Sequence, residues 1–487
     1  MSVSNIASLQ YFYPELLLSL GIIAVLLADL FLPQSRKGWL AGITGIILAG
    51  TLAATLAQYS LGEAALFTRM LALDPLAIFF KILFVISTGL VVTASTTSFR
   101  NSGEFYTLIL TATLGMFLLA GATDLVMVFL AFEVLSIPSY LLAGFYKSKL
   151  TSSEASLKYI LYGAFSTGLM VYGMSLLYGL TGATNLYDIH ASIVAAGSSP
   201  MLFVSLVLIL AGIGYKISMV PFHFWCPDVY EGAPTAVAAF FSVGPKAAGF
   251  ALLTRLLIGV MSTAQIDRWL PIGDIQWPTL IAILATLSMT LGNFAALGQK
   301  NVKRLLAYSA IAHAGYILMG FAVVTAIGLQ AVLLYLVIYM IMNLGAFLLV
   351  DGIGGKIGSD ALEDYRGFGS RSPFVAVALT VFLVSLTGLP PTAGFIGKFY
   401  LFAALVDEQL YWLAIVGALN SVVSLFYYAS IFRAMYLEKG TATGPVSLSR
   451  AHVTIAVVLV VPTVLLGIFF EPLIQWTEIS LQFLALR

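Results

Sequence analysis

Apolar runs of about twenty residues follow one another along nearly the whole chain, separated by short stretches that collect charges, glycines and prolines. A helix needs roughly 20 apolar residues to cross a ~30 Å hydrocarbon core, whereas membrane-spanning strands alternate over about 10 residues, a pattern absent here. The spacing predicts an all-α, polytopic membrane protein. Its helices fall near 11–32, 38–59, 72–96, 104–121, 125–146, 153–181, 200–224, 234–261, 278–298, 302–324, 328–351, 373–405, 410–437 and 452–476, about fourteen in all. Nothing remains that is long enough for a soluble domain, so residues 1–487 read as one integral membrane domain. The longest polar connection, 352–372, holds Asp360, Glu363, Asp364, Arg366 and Arg371 and suits an exposed loop.

Composition agrees with that pattern: 60% of the residues are hydrophobic and 9% charged, against about 25% charged in soluble domains. A net charge of +1 gives no reason to expect a nucleic-acid partner, and the single cysteine, Cys226, excludes an intrachain disulfide or thiolate cluster. No haem, iron–sulfur or metal motif appears. Residues 1–13 lack the basic region of a signal peptide, so the first apolar run is expected to persist as a helix.

Charge between the spans sets their direction. With the N-terminus outside, the inner connections hold Arg36, Lys37, Arg100, Lys147, Lys149, Lys300, Lys303, Arg304, Lys356, Arg366, Arg371, Arg433, Lys439 and Arg450, and the outer ones only Arg69, Arg268 and Arg487. Both termini are therefore expected on the outer, periplasmic side.

Inside the spans the informative residues are charged. An ionised side chain at the centre of a membrane helix costs roughly 2.5–3.5 kcal/mol on insertion scales, so several of them imply partners, internal water or proton exchange. Glu133 lies about 13 Å along its helix from Asp124, with Pro138 loosening the helix just beyond it. Lys216 stands between Gly212 and Gly214 on one side and Pro221 on the other, a segment able to unwind beside a hydrated pocket. A Glu133–Lys216 pair is expected, either modulating the lysine's proton or simply joining two helices. Lys246 follows Gly244 and Pro245 and has no evident carboxylate; Lys398 follows Pro390, Pro391, Gly394 and Gly397, toward the outer side, as an exit gate or a snorkelling anchor. His313 suits a proton relay or a satisfied structural histidine. Lys158, four residues after Glu154, reads by default as half of an exposed helical pair. Lys81 and Arg255 are also intramembrane, but their surroundings name no role.

Three stretches carry a family resemblance: 216–235, KISMVPFHFWCPDVYEGAPT; 301–313, NVKRLLAYSAIAH; and 386–398, LTGLPPTAGFIGK. They resemble the antiporter-like subunits of respiratory complex I, the proton-pumping NADH:quinone oxidoreductase, the N-type subunit above all, and the likeness extends over essentially the whole chain. The resemblance implies a pumping axis made of Glu133, Lys216, Lys246 and Lys398, with Lys158 as a further charged site and His313 as a relay. It also implies two inverted five-helix repeats, 104–261 (helices four to eight) and 278–437 (helices nine to thirteen), after three N-terminal helices within 1–100 and before a last helix at 452–476, with the seventh and twelfth helices broken. A lysine at 398 and the lack of a long C-terminal extension suit the N type. Cys226 departs from the family's usual residue there.

The sequence thus points to a proton-translocating subunit of a bacterial inner-membrane complex. By resemblance, its partners are other membrane subunits of complex I and the lipid bilayer. Quinone, NADH, flavin and iron–sulfur clusters are expected on other subunits and no cofactor on this one. The alternative is an Mrp-type cation/proton antiporter subunit, although sodium exchange needs oxygen ligands and the spans offer few carboxylates besides Glu133. A purely structural role leaves Lys246 and Lys398 unexplained.

Overall fold

The computed structural model describes residues 4–485, except 198, 266, 267, 274 and 441–443. Arg487, one of the three cations expected outside, and residues 1–3 of the N-terminal segment lie outside the described residues. Apolar length produces helices throughout. Those of eight residues or more are α1 (Tyr13–Phe31), α2 (Trp39–Ala57), α3 (Pro75–Ala94), α4 (Gly103–Gly121), α5 (Leu125–Ala143), α6 (Leu150–Thr181), α7 (Leu186–Ala196), α8 (Pro200–Ile217), α9 (Trp225–Gly232), α10 (Thr235–Leu257), α11 (Trp277–Leu297), α12 (Val302–Val323), α13 (Ala326–Ile357), α14 (Pro373–Thr387), α15 (Ala393–Asp407), α16 (Tyr411–Tyr436), α17 (Arg450–Leu465) and α18 (Glu471–Ala485).

Among the described residues twelve helices are long and apolar enough to cross a membrane, and α14 and α17 are apolar but shorter. The expected count of about fourteen is reached only when the α14–α15 pair and α17 each count as a crossing. The helix expected at 452–476 is two: α17 ends at Leu465, the chain turns through Gly467, and Glu471-Pro472 opens α18. The short helix α7 and two small antiparallel hairpins, Ala64–Leu66 with Leu71–Leu73 and Ser262–Ala264 with Trp269–Pro271, were too brief to leave a periodic trace in the sequence.

α10, α12 and α13 form the centre of the bundle, each with nearly every residue buried, while α1, α2, α6 and α16 present apolar faces outward. An outward apolar face matches lipid, which solvates leucine as well as a protein core does. Contacts between connections fall into two sets. At a basic end Arg366 meets Glu438, Asn301 bridges to Ala361, and Lys147 approaches Glu104. At a hairpin end Arg69 meets Asp188 and Arg268 meets Glu408.

Two buried ion pairs explain the cations whose role was unreadable in sequence. Lys81 of α3 meets Glu15 of α1 at 2.5 Å, with Gln58 Oε1 3.4 Å from the same amino group. Arg255, at the end of α10, forms a two-pronged contact with Asp74 at 2.9 and 3.0 Å and donates to the Ala120 carbonyl at 2.6 Å. Asp74 also caps α3 by accepting from Ala77 N at 2.8 Å. One carboxylate therefore fixes the start of α3 against the ends of α4 and α10. Removing one partner of a buried pair strands the other charge, at a cost of about 3–5 kcal/mol. Arg255→Ala should accordingly lower the thermal unfolding midpoint of the detergent-solubilised protein, and an unchanged midpoint would show that Asp74 is satisfied without it.

Candidate functional site

Both predicted helix breaks are present, and each is built around a lysine. α8 ends at Ile217 with Ser218 in the left-handed region, φ 61°. The turn to α9 leaves backbone groups that hydrocarbon cannot satisfy. Side chains take them instead: Ser288 Oγ accepts from Val220 N at 3.0 Å, and Trp225 Nε1 donates to the Tyr215 carbonyl at 2.9 Å. α14 ends at Gly388, φ 88°, where a Cβ-bearing residue would be strained and would also collide with the Lys398 stem. Across this second break Gly394 N donates to Ser385 Oγ at 3.0 Å, and Lys398 Nζ donates to the freed Thr387 carbonyl at 2.8 Å.

Lys216 is 1% exposed. The expected direct pair with Glu133 is not what the structure contains: among the described residues no ion pair includes Glu133, which is half-buried. The Lys216 amino group donates instead to Ser136 Oγ at 2.8 Å and stands 4.6 Å from the centre of the Phe132 ring. Ser136 lies three residues beyond Glu133, on the same face of α5, and intercepts the ammonium one turn short of the carboxylate. The Lys216 stem runs alongside Gly249 of α10, within 3.5 Å of where a Cβ would stand, which brings it beside the turn that carries Lys246.

Lys246, 2% exposed, donates to the Ala310 carbonyl of α12 at 2.7 Å. Among the described residues no ion pair includes Lys246. One turn along α12, His313 is held between the hydroxyls of Tyr335 at 2.8 Å and Tyr428 at 3.3 Å. Tyr428 in turn lies 2.5 Å from Ser309 Oγ. Next to it Tyr427 donates to Asn293 Oδ1 at 3.0 Å, and Asn293 Nδ2 reaches Tyr316 OH at 3.3 Å. Tyr316 OH accepts from Ser421 Oγ at 3.3 Å, and Ser421 accepts from Lys398 Nζ at 3.0 Å. Lys398, 3% exposed, also lies 4.4 Å from the Tyr316 ring centre. Lys216, Lys246, His313 and Lys398 thus line one polar band through an otherwise apolar interior.

Lys158 stands apart from this band. It joins Glu154 and Asp228, both at 2.6 Å, while Arg304 joins Asp228 and Glu231, both at 2.7 Å. The expected helical pair exists, but as part of a five-residue network at the basic end. Burial alone would raise the Asp228 carboxyl, but Lys158 and Arg304 hold it below its usual range. A depressed carboxyl contributes stability above its unfolded pKa of about 3.9 and loses it as pH falls through the folded value. Above that range Asp228 stays charged and, through Lys158 and Arg304, ties α6, α9 and α12 together. Among the described residues, no three His, Cys, Asp or Glu side chains converge as a metal site.

The profile of the NADH:quinone oxidoreductase/Mrp antiporter transmembrane family matches residues 122–424, which contain Glu133, Lys216, Lys246, His313 and Lys398. The chain belongs to this family. A relative from an Anaeromyxobacter species, NADH-quinone oxidoreductase subunit N, is 43% identical over 509 residues, covering 98% of this chain and 97% of its own. NAD(P)H-quinone oxidoreductase subunit 2 of Gloeobacter violaceus is 42% identical, covering 96% and 92%. A chain of respiratory complex I from Thermus thermophilus, solved with bound aureothin, superposes with a TM-score of 0.79 at 32% identity, covering 95% of this chain and 98% of that one. The Mrp complex of a Dietzia species, at 22% identity and TM-score 0.85, shares the fold. This member of the family is an antiporter-like membrane subunit of a proton-translocating NADH:quinone oxidoreductase.

The neutral half of the antiporter-like band, Ser136, Asn293, Tyr316, Tyr335, Ser421 and Tyr428, escaped the sequence reading because hydroxyls are common in membrane helices. Asn293, Asn343 and Asn420, three amides inside apolar spans, were the signal that could have found it. Gly394 tests the break directly. A Cβ there would run into the Ser385 carbonyl, which is backbone and cannot swing aside. Gly394→Ala should force α14 and α15 apart, detach Lys398 from Thr387, and abolish most proton pumping in the assembled complex; wild-type pumping would show that the break tolerates reshaping.

Proposed function

We propose that Glu133, Lys216, Lys246, His313 and Lys398 carry protons through the membrane in response to quinone reduction elsewhere in the assembly. The observation that supports this reading is the succession of buried amino groups and hydroxyls from Ser136 to Lys398, hydrogen-bonded in segments and anchored on two broken helices. A lysine amine can release and regain a proton, and a neighbouring carboxylate favours its charged form. Glu133, separated from Lys216 by the Ser136 hydroxyl, can shift that balance by a small movement of α5 against α8. Lys398, folded back on the Thr387 carbonyl, is the outward gate. Lys158 anchors the basic end and modulates the band from a distance.

The inverted repeats 104–261 and 278–437, the other membrane subunits as partners, and a bacterial inner-membrane location belong to the same proposal. Quinone, NADH, flavin and iron–sulfur clusters would then be held by the other subunits of the complex. The basic end faces inward and both termini outward, as the lysine and arginine bias favours. In a chain lacking Cys226, a cysteine at Thr68 should react with an impermeant thiol reagent from outside and one at Lys439 from inside; the reverse would invert the topology.

Lys216→Ala should abolish pumping while leaving the complex assembled. Lys216→Arg should be nearly as harmful, because a guanidinium does not give up its proton. Glu133→Gln should lose most coupled activity and Glu133→Asp retain part of it. Inside-out vesicles pumping at the wild-type rate with Ala at 216 would remove the central lysine from the mechanism.

A further inference from the structure

Along α13, polar and aromatic residues recur every four positions: Tyr335, Tyr339, Asn343, Phe347 and Asp351. At 1.5 Å per residue they cover about 24 Å, winding slowly about the helix because four residues overshoot one 3.6-residue turn. The stripe starts at His313, through Tyr335, and finishes at the basic end. There Asp351 Oδ2 lies 3.1 Å from His452 Nε2, while His452 Nδ1 lies 2.7 Å from Ser449 Oγ. Gly352 makes room for the imidazole, whose ring edge lies 2.8 Å from where a Cβ would stand. Lys303 and Asp360, 3.6 Å apart, complete the charged mouth.

Between the ends, Asn343 Oδ1 and Tyr339 OH of this stripe are buried and find no partner among the described residues. Asn343 uses its other half, donating from Nδ2 to Ser242 Oγ of α10 at 2.6 Å. Tyr339 and Lys246 face the same small gap between α10, α12 and α13, too narrow in this conformation for a water molecule. A buried polar group left unmatched costs roughly 1–3 kcal/mol, and ordered water is the usual remedy. Tyr339 and Asn343 stand about 6 Å apart along the helix. Toward the basic end the succession is interrupted at Phe347, whose ring packs on Tyr230 of α9 at 5.9 Å and 74°.

We propose that this stripe is the proton intake of the chain: protons pass from the Asp351–His452 pair, over water ordered by Asn343 and Tyr339, to Lys246, and the Phe347–Tyr230 contact closes the route. Each hop makes one O–H or N–H bond as it breaks another, so nothing is oxidised and no co-reactant is needed. Two rings across a narrow passage close it by excluding water. Opening relieves the unmatched atoms, which favours hydration once the rings part. Tyr230 rides on α9, the half-helix just past the Lys216 break, so a shift of that break moves the closure. The inference rests on the reading that Lys246 carries protons.

The test uses the intact complex in proteoliposomes. Asn343→Leu fills the amide's place with methyl groups and should lower quinone-coupled pumping several-fold, whereas Asn343→Ser keeps a hydroxyl and room for water and should preserve most of it. Equal losses in both would mean that Asn343 serves only to hold α13 to α10, and would overturn the intake. Phe347→Ala should raise passive proton uptake in the absence of NADH, and Phe347→Trp should not; an unchanged leak would overturn the closure. Lys246→Ala, measured in parallel, separates the two levels. If it pumps normally, the proton-carrying band itself fails; if it does not pump and Asn343→Leu does, only the intake fails.

Discussion

A polar group inside a bilayer has no solvent to fall back on, and the architecture of this chain follows from that constraint. A helix satisfies its own backbone; a broken helix does not. Each break here is closed by side chains chosen for the purpose, with Ser288 and Trp225 at the first and Ser385 and Lys398 at the second. The lysine at the second break is at once the group that needs solvation and the donor that the freed carbonyl needs. Charge and discontinuity therefore stabilise one another, and neither would be tolerable alone in hydrocarbon.

The same constraint accounts for the placement of the central helices. α10, α12 and α13 carry Lys246, His313 and Asn343, and all three are buried by protein along nearly their full length. Surrounding helices shield them from lipid, so that amino groups, hydroxyls and amides meet one another and not acyl chains. Small residues make this possible. Gly249 lets the Lys216 stem lie against α10, and Gly315 lets α12 approach the backbone of α11 closely.

The all-helical class, the extent of most spans, both breaks and the buried lysines were legible in the sequence, because hydropathy, proline and glycine act locally. Partners were not. Nothing in the residues around Lys81 or Arg255 announces Glu15 or Asp74, which lie tens of residues or more away. Opposite charge within the spans suggested Glu133 for Lys216, yet Ser136, three residues further along α5, holds the amino group. Lys158 was read as half of a local pair, and its additional bond to Asp228 depends on how α9 returns after the break. Fold class is written in periodicity, and the wiring of the site in long-range packing.

The Lys81–Glu15 pair bears on how such a chain enters the membrane. Either charge left alone in hydrocarbon is costly, and pairing offsets part of that cost. Glu15 is synthesised first, on α1, and its counter-charge arrives only with α3, after α2 has already crossed. The first three helices thus form one unit in which neither charge is left unmatched once α1 and α3 are both in place.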